Sequence, residues 1–557
     1  MRELTAEEPA PRAAAVKGLG RVGRWAAEYG DVVAGVGAAV IGMAGDTDAP
    51  VRAAVADALG WLGPLGGDDA GAVVVTLMGD ADTRVRRRAS LAAERLALTG
   101  PDVTAAFRRL LDDADWHLRL NGLLGLRDRG EDAEPAVLVR LLGDADPYVW
   151  GPARAALYAS LSRRPVLDEV KRAARHGHGL ARARALEMLP ERHVRELRDS
   201  LLDGLRDACP EVREVAAGLL AGELRGPADA LLSPLGLSGA VDSLFSTMRR
   251  YGAAESLLPV LRPSATADAL LAALEAETHA DVAARLLGVL GRWGDVRAVP
   301  AAVRWLDHPD AAAGAVLALA DIGTPTAVRS VRAVIVSTAG PDLGPGLGHP
   351  YVRATAATAY GRLAPPDATE TLLPLLRDPD QRVRAGAVDG LRRLGERGLP
   401  SRERDAVGAA LLELLTSDEP TLWHTGNALS EYPETLPAVR RLIDHPSGEV
   451  RATVLRLLDE DDDTDVALLL AHLHDPSEPA RYQALWGIDR YVATYGQLPE
   501  AAATDATDAI RATDVADMAD ATDAAPRPDT LAVITALAQS PSSRIRYAAN
   551  RILDRMA

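Results

Sequence analysis

Residues 378–395 read Asp-Pro-Asp-Gln-Arg-Val-Arg-Ala-Gly-Ala-Val-Asp-Gly-Leu-Arg-Arg-Leu-Gly, and this stretch decides the fold of the chain. Small or apolar residues occur four, five, seven and eight positions after the first valine, so they share one face of a helix. The aspartates before the helix are good N-terminal caps, and the closing glycine favours a helix stop. We therefore predict a helix that begins after an aspartate-rich turn and buries one face.

The same pattern recurs along the chain. Residues 46–63 repeat it as Asp-Thr-Asp-Ala-Pro-Val-Arg-Ala-Ala-Val-Ala-Asp-Ala-Leu-Gly-Trp-Leu-Gly. Most copies follow one another at intervals of 28 to 41 residues, which is room for two helices and two short loops. This spacing predicts a stack of about 15–16 helical hairpins. The valine-like anchor positions of the fifteen clear copies are Pro11, Val51, Val85, Leu118, Val149, Ala181, Val212, Val282, Ala311, Val352, Val383, Leu422, Val450, Ala480 and Ile545.

The aspartate-rich turn, the Val-Arg pair, the small residues and the closing Leu-Gly resemble bacterial HEAT-like repeats, including the phycobilin-lyase type. The resemblance covers nearly the whole chain. It implies an all-α fold, a right-handed α-α superhelix or HEAT-repeat solenoid, in which the second helix of each hairpin lines the concave face. It also implies that the arginine after the anchor pairs with acidic turn residues of a neighbouring unit. Such an array offers a long surface but specifies no chemistry.

Irregular segments divide the predicted array into parts. One interval of 70 residues between anchors indicates a degenerate unit, and a Gly/Pro-rich loop interrupts one hairpin. An Ala/Asp/Thr tract carries regularly spaced aspartates but no apolar stripe, so we predict a disordered acidic insertion. The predicted parts are N-terminal repeats over 1–228, a degenerate region over 229–281, C-terminal repeats over 282–499 with the Gly/Pro loop at 339–350, the acidic insertion over 500–529, and a terminal helical hairpin over 530–557.

Composition narrows the classes of function. The net charge of −17 argues against a protein that coats nucleic acid or an anionic membrane, because such proteins need a basic surface. The single cysteine, Cys209, excludes an intramolecular disulfide and a cysteine-based zinc site. No apolar run approaches the roughly 20 residues that span a bilayer, and no apolar signal core is present. We therefore expect a cytoplasmic protein without a membrane segment.

An arginine follows the anchor in eleven of the fifteen units. One hypothesis is that these arginines form an anion-binding groove. We favour a structural ladder instead, because aspartates recur in step with the arginines and partly buried charges need partners. The aspartates expected to pair with them include Asp46, Asp80, Asp113 and Asp378.

Two tryptophans, Trp150 and Trp423, stand where the arginine is expected. A tryptophan cannot form the ladder, and an exposed aromatic side chain is typical of a binding anchor. Tyr148 lies beside Trp150, while His424 and Asn427 lie close to Trp423. We therefore predict partner-binding residues here; the alternative is that each tryptophan fills a gap in an irregular unit.

Arginines in the N-terminal half suggest a second, weaker site. Arg87 and Arg88 belong to one repeat, and Arg182 and Arg184 belong to a basic stretch farther along the chain. Together they are candidates for a positive patch that receives a partner. The alternative, which we favour, is a solvated helical face, because acidic residues are interleaved and the chain is acidic overall.

The sequence favours a binding scaffold that holds a protein or peptide partner in a concave groove. We assign no catalytic residue, no metal ligand and no cofactor, and we expect a non-catalytic protein. The first alternative is an enzyme-associated or lyase-like factor acting on a bound substrate, which the repeat resemblance implies. The second alternative is a HEAT-like nucleic-acid-binding or repair protein, which the acidic charge disfavours.

Overall fold

The described parts of the chain consist of α-helices joined by short turns. The computed structural model describes residues 2–26, 35–63, 69–190, 193, 196–222, 264–337, 348–417, 421–499 and 530–556. These residues form α-helices and short 3-10 helices and contain no strand, which confirms the predicted all-α class. The chain divides into two compact units, Met1–Ala269 and Leu270–Ala557. Within the described ranges, none of the helices combines the length and apolar character needed to cross a membrane.

In the first unit, two helices alternate along each hairpin, and the odd-numbered helix carries the anchor residue. The first unit contains α1 (Pro9–Ala26), α2 (Val36–Ile41), α3 (Ala49–Leu62), α4 (Ala70–Leu77), α5 (Thr83–Arg95), α6 (Pro101–Leu110), α7 (Trp116–Asp128), α8 (Pro135–Leu142), α9 (Pro147–Ser160), α10 (Arg164–His176), α11 (Gly179–Met188), α12 (Arg198–Gly204) and α13 (Pro210–Gly222).

The second unit continues the alternation, and α14 (Ser264–Ala276) contains the division between the units. Its further helices are α15 (Ala280–Arg292), α16 (Val299–Trp305), α17 (Ala312–Ile322), α18 (Pro325–Val336), α19 (Pro350–Leu363), α20 (Ala368–Leu372), α21 (Gln381–Arg397), α22 (Ser401–Ser417), α23 (Leu422–Leu429), α24 (Leu436–Arg440), α25 (Gly448–Leu457), α26 (Asp463–Ala471), α27 (Glu478–Tyr495), α28 (Thr530–Leu537) and α29 (Ser543–Met556).

The predicted anchors lie in the odd-numbered helices, except that Ala311 immediately precedes its helix. The predicted degenerate region, Gly/Pro loop and acidic insertion lie wholly or largely outside the described residues, so those assignments stay predictions. Turn aspartates cap the helices as expected. The side chain of Asp82, for example, accepts a hydrogen bond from the backbone N–H of Arg84 at 2.8 Å and satisfies a free donor of α5.

Within each unit, consecutive odd-numbered helices pack side by side over buried anchors, except that α9 and α11 approach each other less closely. Val85 and Val383 are fully buried, and each such side chain contributes about 1.5–3 kcal/mol through the hydrophobic effect. Helices α19 and α21 approach most closely at two glycines: a Cβ atom on Gly361 would collide with the carbonyl oxygen of Gly390. Small residues therefore set the distance between these helices.

The last hairpin packs directly on the helix that precedes residues 500–529 in the chain. Ser542 donates to Glu478 at 2.7 Å, and Arg555 donates to Asp489 of α27 at 2.8 Å. Helices α27 and α29 are therefore neighbours, as consecutive odd-numbered helices are elsewhere in this unit.

Candidate functional site

A ladder of arginine–aspartate pairs joins consecutive repeats. Arg119 follows the anchor of α7 and forms a two-pronged ion pair with Asp144, with Nε–Oδ2 and Nη2–Oδ1 distances of 2.6 and 3.0 Å. Its Nη1 also donates to the carbonyl oxygens of Asp113 and Ala114 in its own turn, at 2.8 and 2.9 Å. Asp144 in turn accepts from the backbone N–H of Asp146. One guanidinium therefore holds two successive turns together.

The same pairing recurs in both units, which confirms the predicted ladder for the described pairs. The partner is in each case the residue five positions before the next anchor, and the pairs are partly or fully buried. These pairs are Arg12–Asp46, Arg52–Asp80, Arg86–Asp113, Arg119–Asp144, Arg182–Asp207, Arg353–Asp378 and Arg451–Asp475. Hydrogen bonds from Arg12 and Arg52 hold the pKa of Asp46 and Asp80 below its ordinary value.

The four repeats without the arginine follow one rule. In each of them, the residue five positions before the next anchor is not acidic, so an arginine would meet no carboxylate. Those residues are His176, Leu306, Leu347 and His445. The arginine is therefore missing only where this position lacks a carboxylate, but Arg384 and Arg481 are retained although the corresponding residues are Ser417 and Ser540, so the pattern alone does not account for the loss.

Trp150 is half-buried beneath a cation from the next repeat. The guanidinium of Arg184 lies 4.2 Å from the centre of the Trp150 ring, a cation–π contact. Arg184 also donates to the carbonyl oxygens of Leu142 and Asp144, the second at 2.8 Å. Burial lowers the pKa of Arg184 from its ordinary value. In the α7 repeat, Arg119 donates to the carbonyl oxygens of its own turn. In the Trp150 repeat, Arg184 donates to the corresponding carbonyl oxygen, that of Asp144.

Trp423 is exposed, and its register differs from our expectation. Buried residues of this repeat include Thr421, Thr425, Ala428 and Leu429, which match the anchor and the positions four, seven and eight after it. Thr421 therefore takes the anchor position, so the prediction that Trp423 stands at the arginine position is wrong by one residue. The side chain is consequently free of the ladder, and Trp423 is 66% exposed.

Three consecutive odd-numbered helices meet around this tryptophan. His424 on α23 lies 3.2 Å from Asp389 on α21, measured between Nδ1 and Oδ1. Arg456 on α25 donates to the side-chain oxygen of Asn427 on α23. The Trp423 and His424 rings meet edge to face, with 5.1 Å between their centres. We name Asp389, Trp423, His424, Asn427 and Arg456 the Trp423 surface.

Sequence reasoning found three members of the Trp423 surface but missed Asp389 and Arg456. These two residues lie about 30 positions away in the sequence, on neighbouring repeats, and nothing in their local pattern marks them. The only signal in the sequence was their position within the repeat, because Asp389 and Arg456 each lie six positions after the anchor of their own helix. Rows of equivalent positions become neighbours when helices stack.

The arginines predicted to form a positive patch are distributed among separate contacts. Arg87 pairs with Asp115, and Nη1 of Arg88 lies 3.6 Å from Asp57. Arg182 belongs to the ladder, and Arg184 covers Trp150. Their role in partner binding stays a prediction.

Tyr148, which is 66% exposed, belongs to an aromatic cluster at the start of α7 and α9. Its ring stacks on Trp116 at a centre-to-centre distance of 5.7 Å, and Trp116 stacks on His117 at 3.6 Å. The sequence singled out Tyr148 but not Trp116, because the two rings come together only when their repeats pack against each other.

Cys209 occupies a turn. Its backbone N–H donates to Asp207 at 2.8 Å, so it takes the place that aspartate has in other turns. Burial and the hydrogen bond to Glu211 raise the pKa of the Cys209 thiol, which keeps it protonated near neutral pH. These contacts disfavour nucleophilic chemistry at this cysteine.

Comparisons with known proteins agree with this architecture. Residues 2–95, 267–343 and 340–430 match the model of the family described as HEAT repeats. No curated protein matches the sequence significantly.

Three solved structures are among those similar to this chain. Importin beta in a polyethylene glycol condition has a TM-score of 0.51 at 12% identity, with coverage of 100% of this chain and 80% of that chain. The Kap95:Nup1 complex has a TM-score of 0.46 at 14% identity, with coverage of 100% and 78%. Kap121p has a TM-score of 0.41 at 14% identity, and this chain spans 56% of its length. At such identities the importin beta likeness concerns the fold alone.

Proposed function

We propose that this chain, which is a HEAT-repeat protein, is a binding scaffold that holds a protein or peptide partner on the exposed face of its odd-numbered helices. The observation that carries the proposal is the exposure of Trp423 in the middle of the Trp423 surface. Stacked hairpins bury their internal faces against one another and leave one continuous side of the second helices to solvent. The indole ring of Trp423 lies on that side and forms none of the ion pairs of the ladder.

The energetics of an exposed tryptophan favour a contact role. Its ring adds little to the stability of the fold, since it remains 66% exposed. Covering it with a partner would remove a large apolar area from water. Tryptophan at the centre of an interface commonly contributes 2 kcal/mol or more to binding, roughly a 30-fold change in affinity. His424 and Asn427 supply polar groups beside the ring.

A peptide library tests the proposal. The full chain is immobilised and used to select displayed random peptides, and the affinities of the enriched peptides are then measured for wild type and variants. Trp423→Ala is expected to weaken binding roughly 30-fold or more. Tyr351→Ala is the matched control, because Tyr351 is 56% exposed near the start of another odd-numbered helix of the same unit.

Two results would contradict the proposal: selection of no specific peptide, or equal binding of the selected peptides by wild type and Trp423→Ala. We further propose a protein or peptide partner in preference to nucleic acid, on account of the net charge of −17. We also propose a cytoplasmic location, as expected from the sequence.

A further inference from the structure

Arg456 lies across the neighbouring helix in a space that a glycine provides. Its guanidinium donates to the side-chain oxygen of Asn427, and Nη2 lies 3.5 Å from the carbonyl oxygen of Trp423. A Cβ atom on Gly426 would collide with this guanidinium and would lie 2.6 Å from Thr453. The absence of a side chain at Gly426 therefore permits Arg456 to reach Asn427 and the backbone of Trp423.

The charge of Arg456 is not balanced by a carboxylate among the residues that the structure describes. Nearby arginines of the same unit do have such partners: Arg440 pairs with Asp465 at 2.6 Å, and Arg490 pairs with Glu460 at 2.9 Å. Arg456 is half-buried, and burial lowers the pKa of its guanidinium, although an arginine remains charged at neutral pH. A partly desolvated cation held by neutral oxygens is an unusual arrangement.

We propose that Arg456 and Asn427 bind the carboxylate of an aspartate or glutamate in a partner peptide, while a neighbouring apolar side chain of that peptide packs on Trp423. This inference rests on the proposed function and adds the chemistry of the partner. The planar guanidinium can donate to a carboxylate in two-pronged fashion. Because Asn427 accepts from Arg456 through its oxygen, its amide group can donate to the same carboxylate.

The observations favour one isolated carboxylate over a phosphate or an acidic run. Phosphate recognition by proteins typically uses a cluster of arginines, whereas the Trp423 surface offers a single guanidinium. The net charge of −17 opposes the approach of a strongly acidic segment. Asp389, which belongs to the same surface, would repel further negative charge, although His424 contacts it at 3.2 Å. A motif with one acidic and one large apolar residue fits these conditions.

The peptides selected on the full chain provide the test. Each enriched peptide is synthesised in three forms, with its acidic residue retained, replaced by the neutral amide, or replaced by phosphoserine. Affinities are measured for wild type, Arg456→Gln, Arg456→Lys and Gly426→Ala. Arg362→Gln is the matched control, because Arg362 pairs with Asp321 at another position of the second unit. Circular dichroism verifies that every variant retains its helices.

For wild type we expect the acidic peptide to bind at least tenfold more tightly than its neutral amide form. Arg456→Gln should abolish that preference, Arg456→Lys should keep part of it, and Gly426→Ala should reduce it by displacing the guanidinium. Trp423-dependent binding with no preference for the acid would overturn this inference while leaving the proposed function intact. Tighter binding of the phosphoserine form would also overturn it, in favour of phosphopeptide recognition. A preference that survives Arg456→Gln would assign the carboxylate to another residue.

Discussion

Removal of a single ladder arginine is expected to weaken two repeats at once. In Arg119→Gln, the side chain of Asp144, which is 6% exposed, loses its cation and keeps the N–H of Asp146 as a partner. The carbonyl oxygens of Asp113 and Ala114 lose their donor as well. Breaking a buried ion pair from one side costs about 3–5 kcal/mol. Because Arg119 is itself 18% exposed, we expect a smaller cost of about 2–4 kcal/mol.

Hydrogen exchange followed by mass spectrometry measures this loss locally, which suits a repeat array whose parts open separately. A destabilisation of about 2–4 kcal/mol raises amide exchange in α7 and α9 roughly 30- to 700-fold when the open state recloses faster than it exchanges. The control is Arg163→Gln, since Arg163 and Asp132 form an ion pair that is 67% and 81% exposed. Such surface pairs contribute about 0–1 kcal/mol, so exchange should rise at most about fivefold.

A double variant separates the pair from its surroundings. In Arg119→Gln with Asp144→Asn, the buried negative charge is removed, so part of the lost stability should return. The reasoning would be refuted if Arg119→Gln and Arg163→Gln had equal effects, or if the faster exchange were not confined to the helices next to the pair.

Three further predictions concern acid stability, close packing and the ladder rule. The hydrogen bond from Arg52 holds the pKa of Asp80 below its ordinary value. The stability that this ionised carboxylate contributes is therefore present above about pH 4 and is lost as the pH falls through the folded-state pKa. Asp80→Asn should flatten the decline of the urea midpoint between about pH 5 and 2.5. Gly361→Ala should cost about 1–3 kcal/mol in urea unfolding because its Cβ collides with the adjacent helix, whereas Gly151→Ala, with open space around it, should cost nothing comparable. Trp150→Arg should lower the thermal midpoint, because position 176, where other repeats carry the aspartate, is a histidine and gives the new guanidinium no carboxylate. Adding His176→Asp should restore part of the loss.

Local spacing within the sequence determined the repeat and its ladder. Each anchor, its capping aspartate and its arginine lie within a few residues of one another, so a helix of known geometry places them without further information. Arg86 and Asp113, for example, belong to copies of the same motif, and stacking the copies brings them together at 2.7 Å. The resemblance to HEAT-like repeats implied these pairs, and the recurrence of the aspartates in step with the arginines supported them.

Tertiary structure alone distinguished the two tryptophans. Trp150 and Trp423 interrupt similar patterns, yet Arg184 covers the first and the second is left to solvent. Only the packed helices placed Thr421 as the anchor and brought Arg456 to Asn427 and the backbone of Trp423. Exposure and charge balance depend on side chains that arrive from neighbouring repeats, and the identity of those neighbours is fixed by the stacking of helices and not by the spacing within one of them.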